Sequence, residues 1–301
     1  MKLTTAFGKS MRDLRGVTIG MAFLIAVMAL LDLLIYPSYR DAFGKLELPE
    51  AMQGFLGEAT DLSSPEGFLT AEYFSWIPLL LVTLAIVGGS AAFAGEEGAG
   101  TMDLLLSQPI RRWELAIAKA SALAVSITIA ALSGLIGFAI GIIFVDIEIT
   151  FGRLAEAVIY MLPLAWAFAG VALLASATLS SRAAAAMAIT GYLVLTYFIQ
   201  VLGGVNPVMQ DIRRISPFYW TDASRVLLNG FDWLRAGIFV LIALAAFGLA
   251  AWMFERRDIF AGERGWSLPR FRRHARAEDL DASTSHARPR GHDQTGNAPV
   301  R

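Results

Sequence analysis

Cysteine is absent from the 301 residues of the sequence, and only three histidines occur, His274, His286 and His292. Without thiols the chain cannot form disulfides, thiolate metal sites or a thiol nucleophile. Because all three histidines lie near the carboxyl end, the apolar part of the chain also lacks imidazole to hold a metal or to activate a serine. We therefore expect this chain to bind no metal or other cofactor and not to be an enzyme.

Charged residues are also scarce. They make up 17% of the sequence, against about 25% in ordinary soluble domains, while hydrophobic residues reach 56%. No pair of glycines at the Walker spacing precedes Lys-Ser or Lys-Thr, so this route to ATP binding is excluded. Asp32 is the only acid inside a predicted span apart from Glu156, which lies at the very start of the fourth run, and this argues against a relay of charged groups in mid-membrane. If the protein moves a solute uphill, the energy should come from elsewhere.

Long apolar runs dominate what is present. Several reach about 20 residues, the length that an α-helix needs to cross a hydrocarbon core of about 30 Å. In lipid the backbone must satisfy its own hydrogen bonds, so these runs should be helices. The fold predicted is all-α, a polytopic membrane protein with six transmembrane helices. The six runs are about Val17–Tyr36, Tyr73–Ala94, Leu115–Val145, Ala155–Leu179, Ala183–Gly203 and Leu234–Phe254.

Three domains follow from the pattern. Residues 1–16 place apolar side chains at helical spacing among four basic ones, which predicts an amphipathic helix at the membrane interface. Residues 17–254 form the six-span domain, in which Pro37 should end the first span and Pro163 should kink the fourth. Residues 255–301 are rich in Arg, Asp, Gly, Pro and Ser, so we expect a cytosolic tail that is largely disordered.

The distribution of Lys and Arg predicts the orientation. With the N-terminus inside, 18 of the 25 Lys and Arg residues lie in cytosolic segments, the tail contributing most of them. We therefore expect a multi-pass protein of the cell membrane with both termini in the cytosol. On the outer side, an aromatic cluster at 218–220 should anchor the membrane interface, and a short helix at about Ser224–Leu228 should lie on the surface.

One polar segment, GEEGAGTMDLLLSQPIRRWE at 95–114, interrupts the apolar pattern between the second and third runs. Its glycines free the chain to turn, and Thr101 is a good N-cap for a short helix, Thr101–Ser107. Gln108 precedes Pro109, so this helix should stop there. The residues alone leave two interpretations open, a helix that merely lies on the membrane and a docking element for a cytosolic motor.

The same segment resembles the Glu-Glu-Gly-Thr…Leu-Leu-Ser-x-Pro-Ile-x-Arg motif of permeases in ABC exporters of the second (ABC-2) class. The six-span layout, the amphipathic N-terminus and the sequence SPFYW at 216–220 resemble that family too, and the resemblance covers about residues 1–260. One departure is the insertion of Ala99 and Gly100 where many relatives continue directly to Thr, which bears on where the helix starts.

The resemblance implies a permease subunit of an ATP-driven transporter, with residues 96–112 as a coupling helix seated on a separate ATP-binding subunit. ATP and Mg²⁺ would be bound by that partner, and a second permease copy, identical or related, would complete the pore. We also expect the protein to contact the lipid bilayer, and we expect it to bind no nucleic acid. The residues that match the motif and inherit the coupling role are Glu96, Glu97, Gly98, Thr101, Leu105, Ser107, Pro109 and Arg111.

The substrate is less constrained. The few polar groups in the spans favour a drug, a peptide or a lipid-like molecule over a bare ion, and Asp32, Thr83 and Ser90 are candidate residues of its path. The residues leave two other classes open: a carrier or channel that works without a motor, and a membrane anchor that transports nothing.

Overall fold

The computed structural model describes residues 3–43, 64–102, 111–179, 181–205 and 210–256. Most of the expected coupling helix, including Leu105, Ser107 and Pro109, lies outside these residues. The expected tail also lies outside them from residue 257 onward.

Within the described part of the chain, six helical segments are long and apolar enough to cross a membrane, as the sequence predicts. The α-helices of the described residues are α1 (Leu3–Phe43), α2 (Pro65–Leu69), α3 (Ile77–Ala92), α4 (Ala94–Gly98), α5 (Arg112–Phe144), α6 (Phe151–Tyr160), α7 (Leu162–Thr178), α8 (Arg182–Val205), α9 (Gln210–Arg213), α10 (Pro217–Trp220), α11 (Ala223–Asn229) and α12 (Trp233–Arg256). The first span is α1, and the second consists of α2, a π-helical turn (Thr70–Phe74) and α3. The third span is α5, the fourth is α6 followed by α7, the fifth is α8 and the sixth is α12.

Proline has different effects in the first and fourth spans. The prediction that Pro37 ends the first span is wrong, because α1 continues through it to Phe43. A proline removes one backbone donor, and a long membrane helix tolerates that loss when its surroundings satisfy the freed carbonyl. The expected kink at Pro163 is confirmed, since α6 ends at Tyr160 and α7 begins at Leu162.

The N-terminal residues are helical, as the pattern predicts, but they form no separate element. Residues 3–16 continue without interruption into the first span as one helix of 41 residues. The basic side chains at its start are therefore carried on the same rigid rod as the apolar span.

The fourth span lies at the centre of the helix packing. It contacts the second and sixth spans, and the first span packs along the third. Small residues allow this close approach: a Cβ atom added to Gly89 would lie 2.6 Å from Ala172 Cβ, and one added to Gly170 would lie 2.7 Å from Ala246 Cβ. The first and fifth spans are the least buried, so much of their apolar surface faces outward.

The two ends of the bundle differ. We call the end that carries Lys9, Glu96 and Arg182 the Glu96 end; there Phe93 stacks on Phe254 with ring centroids 4.2 Å apart. At the opposite end, which we call the far end, α9, α10 and α11 join the fifth span to the sixth. The helix predicted at 224–228 is confirmed there as α11. It packs into the bundle as well as facing outward, since Ala223, Val226 and Leu227 are buried.

Candidate functional site

The glycine-rich segment begins where the second span breaks. Helix α3 ends at Ala92, Phe93 leaves ideal helix geometry (φ −111°, ψ −58°), and α4 turns away from the span. Such a break leaves backbone amides without a helical acceptor, and here the hydroxyl oxygen of a buried serine in the fourth span accepts hydrogen bonds from two of them. Ser176 Oγ accepts hydrogen bonds from Phe93 N (3.1 Å) and Ala94 N (3.0 Å), and it donates to Ser90 O (3.0 Å).

Glu96, on α4, is the charged centre of the site. Its Oε1 atom lies 2.7 Å from Lys9 Nζ and 3.0 Å from Lys119 Nζ. Lys9 also pairs with Asp13 at 3.2 Å, one turn along α1. One carboxylate thus ties together the start of the first span, the end of the second and the start of the third.

The three charges differ in their access to solvent. The Lys119 side chain is 8% exposed and that of Glu96 is 12% exposed, whereas that of Lys9 is 39% exposed. A buried cation without a partner is costly, so Lys119 depends on Glu96 more than Lys9 does.

Opposing effects act on the Glu96 carboxyl group. Its partial burial alone would raise its pKa, but the nearby Lys119 charge and the hydrogen bonds from Lys9, Thr101 and Lys119 outweigh burial and lower the pKa to about 2. Glu96 is therefore ionised throughout the physiological pH range.

The loop after α4 folds back on the same carboxylate. Thr101 Oγ1 donates to Glu96 Oε2 and to Glu96 O (3.2 Å), and Thr101 N donates to Glu96 O (3.0 Å). Gly100 occupies the left-handed region at φ +68°, which only glycine adopts without strain. The Ala99-Gly100 insertion therefore forms the turn that brings Thr101 back to Glu96.

The other predicted coupling residues in the described part of the chain lie around this turn. Glu97 is half-buried on α4, and Gly98 is exposed at its end. Arg111 is exposed and caps the third span, where its backbone N donates to Glu114 Oε2 at 3.1 Å. The structure thus brings Glu96 and Thr101 into direct contact and places Arg111 in a separate capping interaction.

Sequence reasoning missed Lys9, Lys119 and Ser176 as parts of this site. A signal was available, since Lys119 is a lone cation about two turns inside an apolar helix, and such a charge needs a counter-ion. Nothing in the sequence distinguishes Ser176 from the other hydroxyl residues of the spans.

The three residues of the expected substrate path occupy different surroundings. Asp32 is half-buried in the first span, and its Oδ2 atom has no hydrogen-bond partner among the described residues. Thr83 is exposed and donates to Leu79 O of its own helix. Ser90 is 1% exposed, and its carbonyl accepts the bond from Ser176.

Taken together, six apolar helices joined at one end by a structured, charged connection define a polytopic membrane protein. The family model described as ABC-2 family transporter protein matches residues 5–259, and the chain belongs to this family. It is a permease subunit of an ABC transporter, and permeases of this family are transmembrane components without their own ATP-binding domain. No curated protein matches the sequence.

Proposed function

We propose that the segment around Glu96 transmits the movement of a separate ATP-binding subunit to the helices of this permease. The observation that carries the proposal is the Glu96 carboxylate, which holds Lys9 of the first span and Lys119 of the third at 2.7 Å and 3.0 Å. A force applied to α4 therefore acts on three spans at once. ATP and Mg²⁺ are bound by the partner, and residues 96–112 provide its docking surface on the cytosolic side.

Further contacts link the same segment to the rest of the bundle. Ser176 fixes the break at Phe93 to the fourth span, and a Cβ atom added to Gly95 would lie 3.6 Å from Arg182 Cδ at the start of the fifth. Rigid connections of this kind favour transmission by rocking of whole helices over local unfolding.

Two copies of the permease, identical or related, form the transport path between them. The first and fifth spans supply the facing surfaces, because they bury the smallest share of their residues within one protomer. The cargo is a drug, a peptide or a lipid-like molecule that is exported through the cell membrane, with both termini of the permease in the cytosol.

The proposal is tested by exchanging Glu97, the residue that follows Glu96 on α4, for lysine. A pull-down of the full-length permease with its ATP-binding subunit should lose that subunit, and ATP-driven transport into vesicles should fall by at least tenfold. Glu255→Lys is the matched control, since Glu255 is an exposed acid at the same end of the bundle. It should retain both binding and transport.

Two results would contradict the proposal. If Glu97→Lys left subunit binding and transport intact, the segment would not be the docking surface. If the purified permease alone moved solute into liposomes under an ion gradient, a carrier without a motor would be the better description.

A further inference from the structure

A cavity of about 80 Å³, lined by both polar and apolar side chains, lies at the far end of the bundle, opposite the Glu96 end. It is formed by the start of the second span, the outer half of the fifth and the loop between the fifth and sixth. The residues with polar side chains that line it are Thr70, Ser75, Tyr197, Gln200, Arg213, Thr221 and Asp222. Its volume exceeds the roughly 30 Å³ that one water occupies in the liquid, so it can admit a small chemical group.

Two polar atoms at this cavity are buried without a partner. Gln200 Oε1 and Arg213 Nε make no hydrogen bond within the described part of the chain. Buried polar atoms are nearly always paired, and these two need opposite partners. Arg213 needs an acceptor, preferably an anionic oxygen, and Gln200 Oε1 needs an N–H or O–H donor.

The hydroxyl groups of the cavity favour a donor-bearing ligand. Thr70 Oγ1 donates to Glu66 O (2.7 Å), Ser75 Oγ to Thr70 O (2.7 Å) and Thr221 Oγ1 to Pro217 O (3.1 Å). Since each hydroxyl proton is already committed to a backbone carbonyl, each oxygen can only accept further hydrogen bonds. Asp222 adds a carboxylate to this lining.

The part of the cavity lining that contains Arg213 is fixed by hydrogen bonds within the protein itself. Ser216 Oγ donates to Thr196 O of the fifth span (2.8 Å), Tyr160 OH donates to Trp220 O (3.1 Å) and Trp220 Nε1 donates to Arg214 O (2.8 Å). The Arg213 guanidinium also lies over the Tyr219 ring, 5.6 Å from its centroid. Pre-formed cavities with few, fixed polar groups are typical of small-molecule sites.

We propose that this cavity binds a small zwitterionic group, an ammonium next to a phosphate or carboxylate. The acid oxygen accepts from Arg213, and the ammonium donates to Gln200 Oε1 and to the hydroxyl oxygens. Arg213 and Asp222 balance each other in charge, which favours a ligand of zero net charge over a simple anion or cation. Two sources carry this chemistry: the phosphoethanolamine headgroup of a membrane lipid and the end of a transported peptide.

The test is a binding titration of the full-length permease in detergent micelles with soluble probes, followed by calorimetry. Glycerophosphoethanolamine should bind saturably, and glycerophosphocholine at least fivefold more weakly, since its quaternary ammonium has no N–H to donate. Arg213→Gln and Gln200→Leu should each weaken glycerophosphoethanolamine at least tenfold. Arg214→Gln is the matched control, because Arg214 is the next residue but its side chain is 66% exposed and pairs with Asp211 instead; it should bind like wild type.

Two further measurements distinguish a lipid headgroup from the end of a transported peptide as the source of the bound group. Retention of phosphatidylethanolamine over phosphatidylglycerol by native mass spectrometry, lost in Arg213→Gln, would assign the site to lipid. Saturable binding of triglycine, lost in the same variant, would assign it to a transported zwitterion. Thermal unfolding of each variant checks folding, and Gln200→Leu keeps the test decisive if Arg213→Gln does not fold.

The proposal is overturned if no probe binds saturably, which would mean that the cavity holds only water. It is equally overturned if the ethanolamine and choline probes bind alike, or if Arg214→Gln weakens binding as much as Arg213→Gln. None of these results depends on whether the coupling segment at the other end docks an ATP-binding subunit.

Discussion

At the scale of single residues, Glu96 and Lys119 are unequal partners. Glu96 has two ammonium groups and a hydroxyl around it, whereas the Lys119 ammonium donates to Glu96 and to no other side chain in the described part of the chain. Removing one member of a buried ion pair leaves an uncompensated charge, and this costs more than replacing both members with apolar side chains. The consequence of a substitution should therefore depend on which partner is lost.

Glu96→Gln should be strongly destabilising. The amide leaves the buried Lys119 ammonium without a counter-charge, so we expect a loss of about 3 kcal/mol. The apparent midpoint of thermal unfolding in detergent measures it.

Lys119→Met should cost less, because Glu96 keeps Lys9 and Thr101 and methionine fills much of the same space. In the Glu96→Gln background, Lys119→Met should restore most of the lost stability. If the double variant were less stable than Glu96→Gln alone, the imbalance between the two partners would be refuted.

The lowered pKa of Glu96 predicts a pH dependence. The ordinary value for a glutamate is 4.5 and that of folded Glu96 is about 2, so the folded protein binds this proton less tightly than the unfolded chain. The contribution to stability is therefore complete above about pH 4.5 and is lost as the pH falls toward 2. The difference in unfolding midpoint between wild type and Glu96→Gln should be constant from pH 7 to 5 and should shrink at pH 3. A difference that grew on acidification would contradict the assignment.

The sequence located this site but could not resolve its parts. The motif at 95–114 identifies Glu96 and Thr101 by position along the chain. Their partner Lys9 is 87 residues away and Lys119 is 23 residues away. Which helix faces meet is decided by packing among six apolar rods, and a single sequence carries little information about that.

At the scale of elements, the break between α3 and α4 depends on one side chain. Ser176 is fully buried, and its hydroxyl oxygen accepts hydrogen bonds from the backbone amides of both Phe93 and Ala94. The geometry of the coupling segment thus rests on a hydroxyl in another span.

Ser176→Ala should destabilise the protein by about 2–4 kcal/mol, since two buried amides lose their acceptor. Thermal unfolding measures this loss, and ATPase stimulation by the permease should fall with it. Thr178→Ala is a matched control on the same helix, because Thr178 is exposed and bonds only to carbonyls of its own turn. It should change stability by no more than about 0.5 kcal/mol. If Ser176→Ala and Thr178→Ala changed stability equally, the break between α3 and α4 would not depend on the Ser176 hydroxyl.

The two prolines show where element boundaries can be predicted. At Pro163 the preceding helix has already ended, and proline occupies the first turn of the next one, where it fits well. At Pro37 the helix simply continues. The residue type is the same, so a proline by itself does not determine whether a membrane helix ends.

At the scale of the whole molecule, the long contact between the first and third spans depends on residues without side chains. A Cβ atom on Gly137 would collide with Ala26 O and lie 2.8 Å from Ala29 Cβ, and one on Gly141 would lie 2.7 Å from Leu33 Cδ1. The two glycines lie four residues apart on one face of the third span, a spacing that permits close helix packing, and the helix that packs there is the first span.

Gly137→Val should therefore separate the first span from the third. We expect a loss of about 2–3 kcal/mol, because backbone cannot move aside as a side chain can. Gly248→Val is the control, since nothing lies within 4 Å of the position of its Cβ atom. The unfolding midpoints of the two variants in detergent are compared. If Gly137→Val unfolded at the same temperature as Gly248→Val, the first and third spans would be packed less closely than the structure describes.

The buried ion pair also has a consequence for the order of synthesis. Ribosomes produce Lys9 first, then Glu96, and only then Lys119, each in a different span or its margin. When the third span partitions into lipid, the Glu96 carboxylate at the end of the second span has already been synthesised and can pair with Lys119. Lys9, the other partner of Glu96, is also present by then. A charge near the end of an apolar helix raises the cost of its insertion, so we expect the third span to integrate less completely when the nascent chain carries Glu96→Gln. The contact that links three spans in the finished permease would then first act as an aid to its biogenesis.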